Sequence, residues 1–392
     1  MLRETARAAV WTGTGQMEVR QLPIPEAGEG ALLLRVDAAS VCGTDGHLFP
    51  QNPPYSAILG HEVTGTIVQM GKNANRTQHI FGGPVQVGDR VVLYPWITCG
   101  KCEGCLTYGS GTCTVCDNAF VYGIPYEKLG LEGVAGISSD VELFPHFKGG
   151  FAEYLYVFPG TYMWKLPDDM PSEVAVLLDP LAVAVRAIEL AVMSPGVVEE
   201  SFTTSSSVVV MGAGPVGALT ALVARTMGVE RVIIVGGRKE RLSITRELSD
   251  ADAVIDIRET TPEERIKQVK DMTGGKGADV VIQCANVPGA FVEGLDMIRR
   301  MGTLIEVGNM VNTGSTVAID PARQICGKHA RIIGMSANSA KAFDKAFHLL
   351  KRHAKISYDK LYTHVTSLDE LERTLHRMSD GNYMKGLLTF GQ

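Results

Sequence analysis

The sequence predicts an α/β protein of two domains, a β-rich one followed by a doubly wound parallel sheet. Three observations carry this. The 392 residues exceed what one average domain holds. Roughly the first 180 are rich in glycine, proline and short β-branched runs. From about Ser205 the texture changes to apolar strands alternating with helical stretches.

In the first part, "ALLLRVDAAS", "VTGTIVQMG" and "DRVVLYPW" read as strands separated by turn residues. In the second, "SSVVVMGAG" is a buried strand entering a glycine turn, and "PVGALTALVARTMG" is a helix ending at Gly228. "RVIIV", "ADAVID", "ADVVIQCA" and "GTLIEVG" follow with helical stretches between them, which implies a parallel sheet covered on both faces. A helical and mixed tail begins near Ser339. The expected division is 1–184, 185–338 and 339–392. Two polar, turn-rich stretches, "KNANRTQHIFGGPVQ" and "SPGVVEESFTTSSS", are expected as surface loops, and "VYGIPYEKLGLEGVAGISSDVELFPHFKGG" as an extended loop.

Composition narrows the function. A hydrophobic content of 45% and a charged content of 20% are those of an ordinary soluble globular protein. The net charge of −6 gives no general attraction to nucleic acid or anionic lipid. The N-terminus "MLRETARAAVWTG" lacks a signal-peptide core, and no apolar run reaches membrane-spanning length, so a cytoplasmic protein is expected. Thiols stay reduced there, and clustered cysteines usually bind metal.

"GAGPVG" places Gly212, Gly214 and Gly217 in G-x-G-x-x-G spacing around Pro215 and Val216, between a Val-rich strand and a helix. The first glycine allows the tight turn, the second lets backbone approach a pyrophosphate, and the third allows close helix packing. The helix N-terminus favours the anion. An NAD-binding unit usually ends its second strand in Asp or Glu, which holds the ribose hydroxyls. Here that strand ends in Gly236 and Gly237, followed by Arg238 and Lys239. A carboxylate would repel a 2′-phosphate; a guanidinium bond to it contributes about 1.5–3 kcal/mol. NADP(H) is therefore expected over NAD(H).

Cys99, Cys102, Cys105 and Cys113 have C-x2-C-x2-C-x7-C spacing, suited to one closed tetrahedral zinc site that stabilises a lobe at about 94–120. A nucleic-acid reader would need a basic surround. Between Tyr94 and Phe120 stand one lysine and no arginine against one Glu and one Asp. Cys116 is close by as an extra thiol. Upstream, "VCGTDGH" offers Cys42, Thr44, Asp45 and His47, and "LGHEVTG" offers His61 beside Glu62. One thiolate and one imidazole leave two positions on a tetrahedral zinc. A carboxylate is expected at one, and the other stays open if the metal is catalytic.

These residues resemble the zinc-dependent medium-chain alcohol dehydrogenase family. "GHEVTGTIVQMG" fits its zinc signature, and "CGTDGH", the cysteine lobe, "GGFAEY" at 149–154 and "GAGPVG" occur in the family's order across nearly the whole chain. The resemblance implies a GroES-like β fold completed by the C-terminal tail, a Rossmann domain inserted within it, and an active site in the cleft. It implies two zinc ions per chain. It also supplies a carboxylate: in "VAVLLDPLAVAVRA", Asp179 occupies the position many polyol-dehydrogenase relatives fill with glutamate, with Glu62 as the alternative ligand. Aspartate is the corresponding ligand in some microbial secondary-alcohol relatives, which also tend to carry a "GSR"-like turn resembling "GGR" here.

The implied chemistry is reversible oxidation of an alcohol, secondary or polyol-like, to a ketone or aldehyde. Thr44 would receive the proton and pass it through the coenzyme ribose to His47 and solvent. Asp45 would fix the tautomer of His61. The expected partner is a small alcohol or carbonyl substrate, and the expected assembly a homodimer or homotetramer. An NAD-dependent polyol dehydrogenase and a non-catalytic NADP- and zinc-binding scaffold stand as the other readings.

Overall fold

A computed structural model describes residues 3–112, 115–134, 136–192, 203–310, 314–379 and 383–390. They form two compact units, Met1–Asp179 with Asn338–Gln392, and Pro180–Ala337. The units divide at 179/180 and 337/338, where the sequence reading placed 184/185 and 338/339. No helix among the described residues is long and apolar enough to cross a membrane.

The first unit is built on an eight-stranded sheet. Seven strands lie in the order Tyr362–Thr366, Lys385–Thr389, Leu32–Val41, Glu62–Met70, Arg90–Leu93, Tyr162–Lys165 and His79–Phe81; Tyr154–Val157 pairs with Leu32–Val41 off that path. Leu32–Val41 is the hub, pairing antiparallel with Lys385–Thr389, Glu62–Met70 and Tyr154–Val157. Its near-continuous apolar run follows from this: eight of its ten residues are buried, and only Arg35 is exposed. Register sets Ser40 opposite Glu62 and Val41 opposite Gly386, so three strand ends meet at one place. A smaller sheet, Gln16–Pro23, Thr5–Gly13 and Ala57–Ile58, packs its Trp11 into the same core as Phe120, Phe147 and Phe151.

Residues 72–86 differ from the surface loop expected. Ala74–Thr77 is a helical turn, and His79–Phe81 adds a parallel strand beside Tyr162–Lys165. The apolar pair Ile80 and Phe81 provides the reason, since the Phe81 ring stacks on Trp164 with centroids 4.6 Å apart. Most of the expected loop at 194–207 lies outside the described residues.

The second unit carries six parallel strands: Ser207–Met211, Arg231–Gly236, Ala253–Asp256, Ala278–Gln283, Ile298–Glu306 and Arg331–Gly334. Numbered along the chain, they lie in the order 3-2-1-4-5-6. That is the doubly wound order whose ligands sit outside the carboxyl ends of the strands, where the first strand's two neighbours diverge. Val208, Val209 and Val210 are fully buried, as strands covered on both faces must be. The first crossover helix, Pro215–Thr226, buries Ala218, Leu219, Ala221 and Leu222 against them.

Candidate active site

The strand Leu32–Val41 ends directly before Cys42, which caps the helix Gly43–Leu48. Asp45, at the third position of that helix, accepts the Cys42 N–H at 2.8 Å through Oδ2. This bond satisfies an orphan helix amide and fixes the backbone that carries the thiol. Asp45 Oδ1 lies 3.6 Å from His61 Nδ1, with Asp45 fully buried and His61 6% exposed. The carboxylate thus faces one imidazole nitrogen and leaves the other for a ligand, as metal-binding histidines require. His61 is set by the turn at Gly60, whose φ of 90° is open to glycine, and by the "GGFAEY" segment. Gly150 N–H donates to the Gly60 carbonyl at 2.7 Å and Phe151 N–H to the Leu59 carbonyl at 3.0 Å.

Cys42, His61 and Glu62 bring one ligand atom each to within 4.8 Å of one another. Glu62 is 1% exposed. Its Oε2 accepts from the Ser40 hydroxyl and from Lys385 Nζ at 2.6 Å, while Oε1 is buried with no hydrogen-bond partner among the described residues. An orphaned buried carboxylate oxygen beside a thiol and an imidazole is an arrangement that suits a divalent cation. The charges agree. Burial pushes the His61 imidazole down, but the negative charges of Cys42 and Asp45 override it and hold it well above its ordinary value. The donor set, soft sulfur with nitrogen and oxygen, fits zinc.

Asp179, the carboxylate ligand expected beside Cys42 and His61, is not in this group of three. It stands in the first turn of the helix Leu178–Val192, where its Oδ1 accepts from the Asn338 side-chain amide at 3.0 Å. The same amide reaches the Asp179 carbonyl at 3.0 Å, and the Tyr94 hydroxyl donates to the Asn338 carbonyl at 3.1 Å. The Asp179 carboxylate is held by the Asn338 amide, while Glu62 brings an oxygen into the group. Asp179 still belongs to the same electrostatic neighbourhood. Burial pushes its carboxyl up to about 6, against the pull of His61 and with the added push of Glu62.

The Cys42 thiol donates to the Thr44 hydroxyl at 3.7 Å, so the expected proton acceptor faces the cluster. His47 sits exposed near the end of the same helix, and partial desolvation lowers its pKa from the ordinary value, which favours the neutral ring that can take a proton.

The cysteine lobe forms around the helix Glu103–Tyr108 and the strand pair Trp96–Ile97 with Phe120–Val121. The four ligand atoms within 4.8 Å of one another belong to Cys99, Cys102, Cys105 and Cys116. Zinc with thiolates at its usual bond length gives a tetrahedral edge of about 3.8 Å, so the quartet needs little contraction. Among the described residues Cys116 completes this group of four; Cys113, the fourth ligand expected from the spacing, lies outside the described residues. The Cys105 and Asp117 amides hold the Cys102 thiol down at about 6, whereas burial raises Cys105 and Cys116. One thiolate forms readily, and the buried others need a cation to follow.

In the second unit the glycine turn has the shape its spacing predicts. Gly212 takes φ 105°, and a Cβ on Gly217 would run into the Gly212 carbonyl oxygen. A Cβ on Gly214 would meet nothing within 4 Å, so the backbone there is open to a ligand before the N-terminus of Pro215–Thr226. The second strand runs through Gly236, which lies against Ala213. Arg238 is exposed, with φ 66°, at the start of the helix Lys239–Ser249, and Lys239 pairs with Glu259 at 3.0 Å.

Sequence reasoning missed Ser40, Lys385 and Asn338, whose only signals are strand pairings and a chain return. For Cys116 the signal was present, as a fifth thiol in the lobe.

Two family descriptions match the chain: "alcohol dehydrogenase GroES-like domain" over residues 28–168 and "zinc-binding dehydrogenase" over 215–352. The chain is 28% identical over 373 residues to an L-threonine 3-dehydrogenase of Pyrococcus furiosus, covering 93% of this chain and 92% of the relative. It is 28% identical over 389 residues to D-xylulose reductase A of Aspergillus oryzae, covering 97% and 95%. Among solved structures it is similar to an alcohol dehydrogenase of Thermotoga maritima, with a TM-score of 0.85 and 28% identity over 98% of this chain and 99% of the other. It is also similar to a Sinorhizobium meliloti protein described as a zinc-binding dehydrogenase and solved with NADP, with a TM-score of 0.79 and 26% identity over 99% and 100%.

Proposed function

Because the chain belongs to the zinc-dependent medium-chain alcohol dehydrogenase family, we propose that it reversibly transfers a hydride between an alcohol and NADP(+), giving a ketone or aldehyde. The observation that carries this reading is the buried cluster of Cys42, His61 and the orphaned Glu62 oxygen. These three would hold zinc, with Asp179 in reserve behind Glu62, and a second ion would sit among the lobe thiols. Zinc, when bound, supplies Lewis-acid chemistry toward the substrate oxygen.

The remaining steps belong to the chain's own residues. Thr44 takes the proton at its hydroxyl, and neutral His47 passes it toward solvent. Asp45 holds His61 in the tautomer that binds metal. Gly212, Gly214 and Gly217 open the backbone to the coenzyme pyrophosphate, and Arg238 reads a 2′-phosphate where a carboxylate would repel it. The structural neighbour solved with NADP supports that preference. An NAD-dependent polyol dehydrogenase is the second reading, favoured by the similarity to D-xylulose reductase A. The functional form is taken to be a cytoplasmic homodimer or homotetramer with two zinc per chain.

The test is a broad alcohol and carbonyl screen of zinc-replete protein with NADP and NAD, following absorbance of the reduced nicotinamide. Turnover lost in Cys42→Ala, with the lobe zinc retained, is the expected result. Absence of turnover with either coenzyme on any substrate would overturn the reading. For coenzyme choice, Arg238→Ser should lower kcat/KM with NADP roughly ten- to hundredfold while sparing NAD. Equal Michaelis constants for the two coenzymes in the unaltered protein would end the NADP assignment.

A further inference from the structure

Glu306 closes the strand Ile298–Glu306 as a half-buried carboxylate at the carboxyl end of the parallel sheet. Among the described residues, every hydrogen bond to its side chain comes from a neutral amide. Its Oε1 accepts the Gly308 N–H at 3.0 Å, the Asn309 N–H at 2.9 Å and the Asn309 side chain at 3.2 Å. Gln283 Nε2 approaches Oε1 at 3.2 Å and Oε2 at 3.4 Å. Among the described residues no lysine, arginine or histidine pairs with it. Burial raises its carboxyl, and after burial itself the charge of Glu306 helps raise the neighbouring Cys284 thiol.

The same network orders the backbone next to the glycine turn. Gln283 is fully buried; its Nε2 donates to the Ala285 carbonyl at 2.7 Å and its Oε1 accepts the Ala285 N–H. Cys284 N–H donates at 2.7 Å to the carbonyl of Met211, the residue before Gly212. Glu306 is thus tied through Gln283 to the end of the sheet where a doubly wound fold takes its ligand.

A partly desolvated carboxylate held only by amides is costly to keep ionised, and none of the steps assigned above uses it. Its charge would be compensated by a cation arriving at the strand ends. The oxidised nicotinamide ring is a cation; the reduced ring is neutral. We propose that Glu306 sets the preference between oxidised and reduced coenzyme, its uncompensated negative charge at the strand ends favouring the oxidised form. This rests on the reading that the chain binds a nicotinamide coenzyme.

The experiment measures dissociation constants of unaltered protein, E306Q, E306A and E306D for NADP+ and NADPH, and for NAD+ and NADH, by nicotinamide fluorescence and calorimetry at one pH and salt. E306Q keeps an acceptor for the Gly308 and Asn309 amides and removes the charge. The ratio of oxidised to reduced dissociation constants should rise about three- to tenfold in E306Q, and stay within about twofold of the unaltered value in E306D. E306A gives the same reading if E306Q does not fold. A loss shared equally by both redox forms would make Glu306 a loop support only and overturn the inference, as would an unchanged ratio. Unaltered protein that binds neither coenzyme pair would overturn the functional reading and this inference together; binding with an unchanged ratio sinks this one alone.

Discussion

The carboxylate of Glu62 has two donors on one oxygen, Ser40 and Lys385, and, among the described residues, none on the other. Lys385 is itself 2% exposed; burial disfavours its charge, but Glu62 holds its pKa up. Removing one partner of such a pair leaves the other charged and desolvated. Lys385→Met should therefore cost about 3–5 kcal/mol of stability, read from urea midpoints, and Lys385→Met with Glu62→Gln should recover part of it. Lys148 gives a different signature. It is 3% exposed, donates to the Asp140 carbonyl at 2.6 Å and the Leu143 carbonyl at 2.9 Å, and burial lowers its pKa from 10.5 to about 8. Below pH 8 both folded and unfolded chains are protonated there, and the cost of the buried charge is fully present. Between about pH 8 and 10 the unfolded chain holds more protons at this site, so its contribution rises with pH. Comparing urea midpoints at pH 7 and 9.5, the unaltered protein should gain relative to Lys148→Met. At this scale Cys42, Asp45, His61 and Glu62 were legible because each pair of candidates lies within one short motif. Lys385 and Asn338 were not, because only the folded sheet and the returning chain bring them near.

The cysteine lobe shows where spacing stops being decisive. Three thiols separated by two residues each sit around one short helix, and local geometry alone brings them together. The fourth arrives by a loop, and a loop delivers residue 113 or residue 116 equally well as far as spacing goes. Among the described residues the fourth thiol is Cys116, 2% exposed against Cys105 and Ala119. Cys116→Ser should release the lobe zinc and lower the unfolding midpoint, as read by elemental analysis and urea titration. The parallel sheet was the most legible element. Its strands are buried on both faces, and uninterrupted Val and Ile runs announce that directly. His79–Phe81 was hidden because a three-residue edge strand carries too few apolar positions to show a period.

At the scale of the molecule, the two units differ in how they are threaded. Pro180–Ala337 is continuous, with its own core of Val209, Ile233, Val281, Leu295 and Leu304. Expressed alone it should unfold cooperatively and bind the coenzyme, as followed by thermal melts and nicotinamide fluorescence; an excised segment that neither melts cooperatively nor binds would sink this. The other unit is discontinuous. Glycine patterning and short strands exposed its β character, and the family likeness supplied the return of the tail, which no local pattern encodes.

That return has a consequence for biosynthesis. Lys385–Thr389 lies between Tyr362–Thr366 and Leu32–Val41 inside the sheet, and it carries the lysine that neutralises Glu62. A ribosome releases this strand after the whole of Pro180–Ala337. The continuous unit has then already emerged, while Leu32–Val41 waits for Lys385–Thr389 with one side unpaired. A nascent chain stalled before Lys385 would display an open sheet edge and an uncompensated carboxylate together.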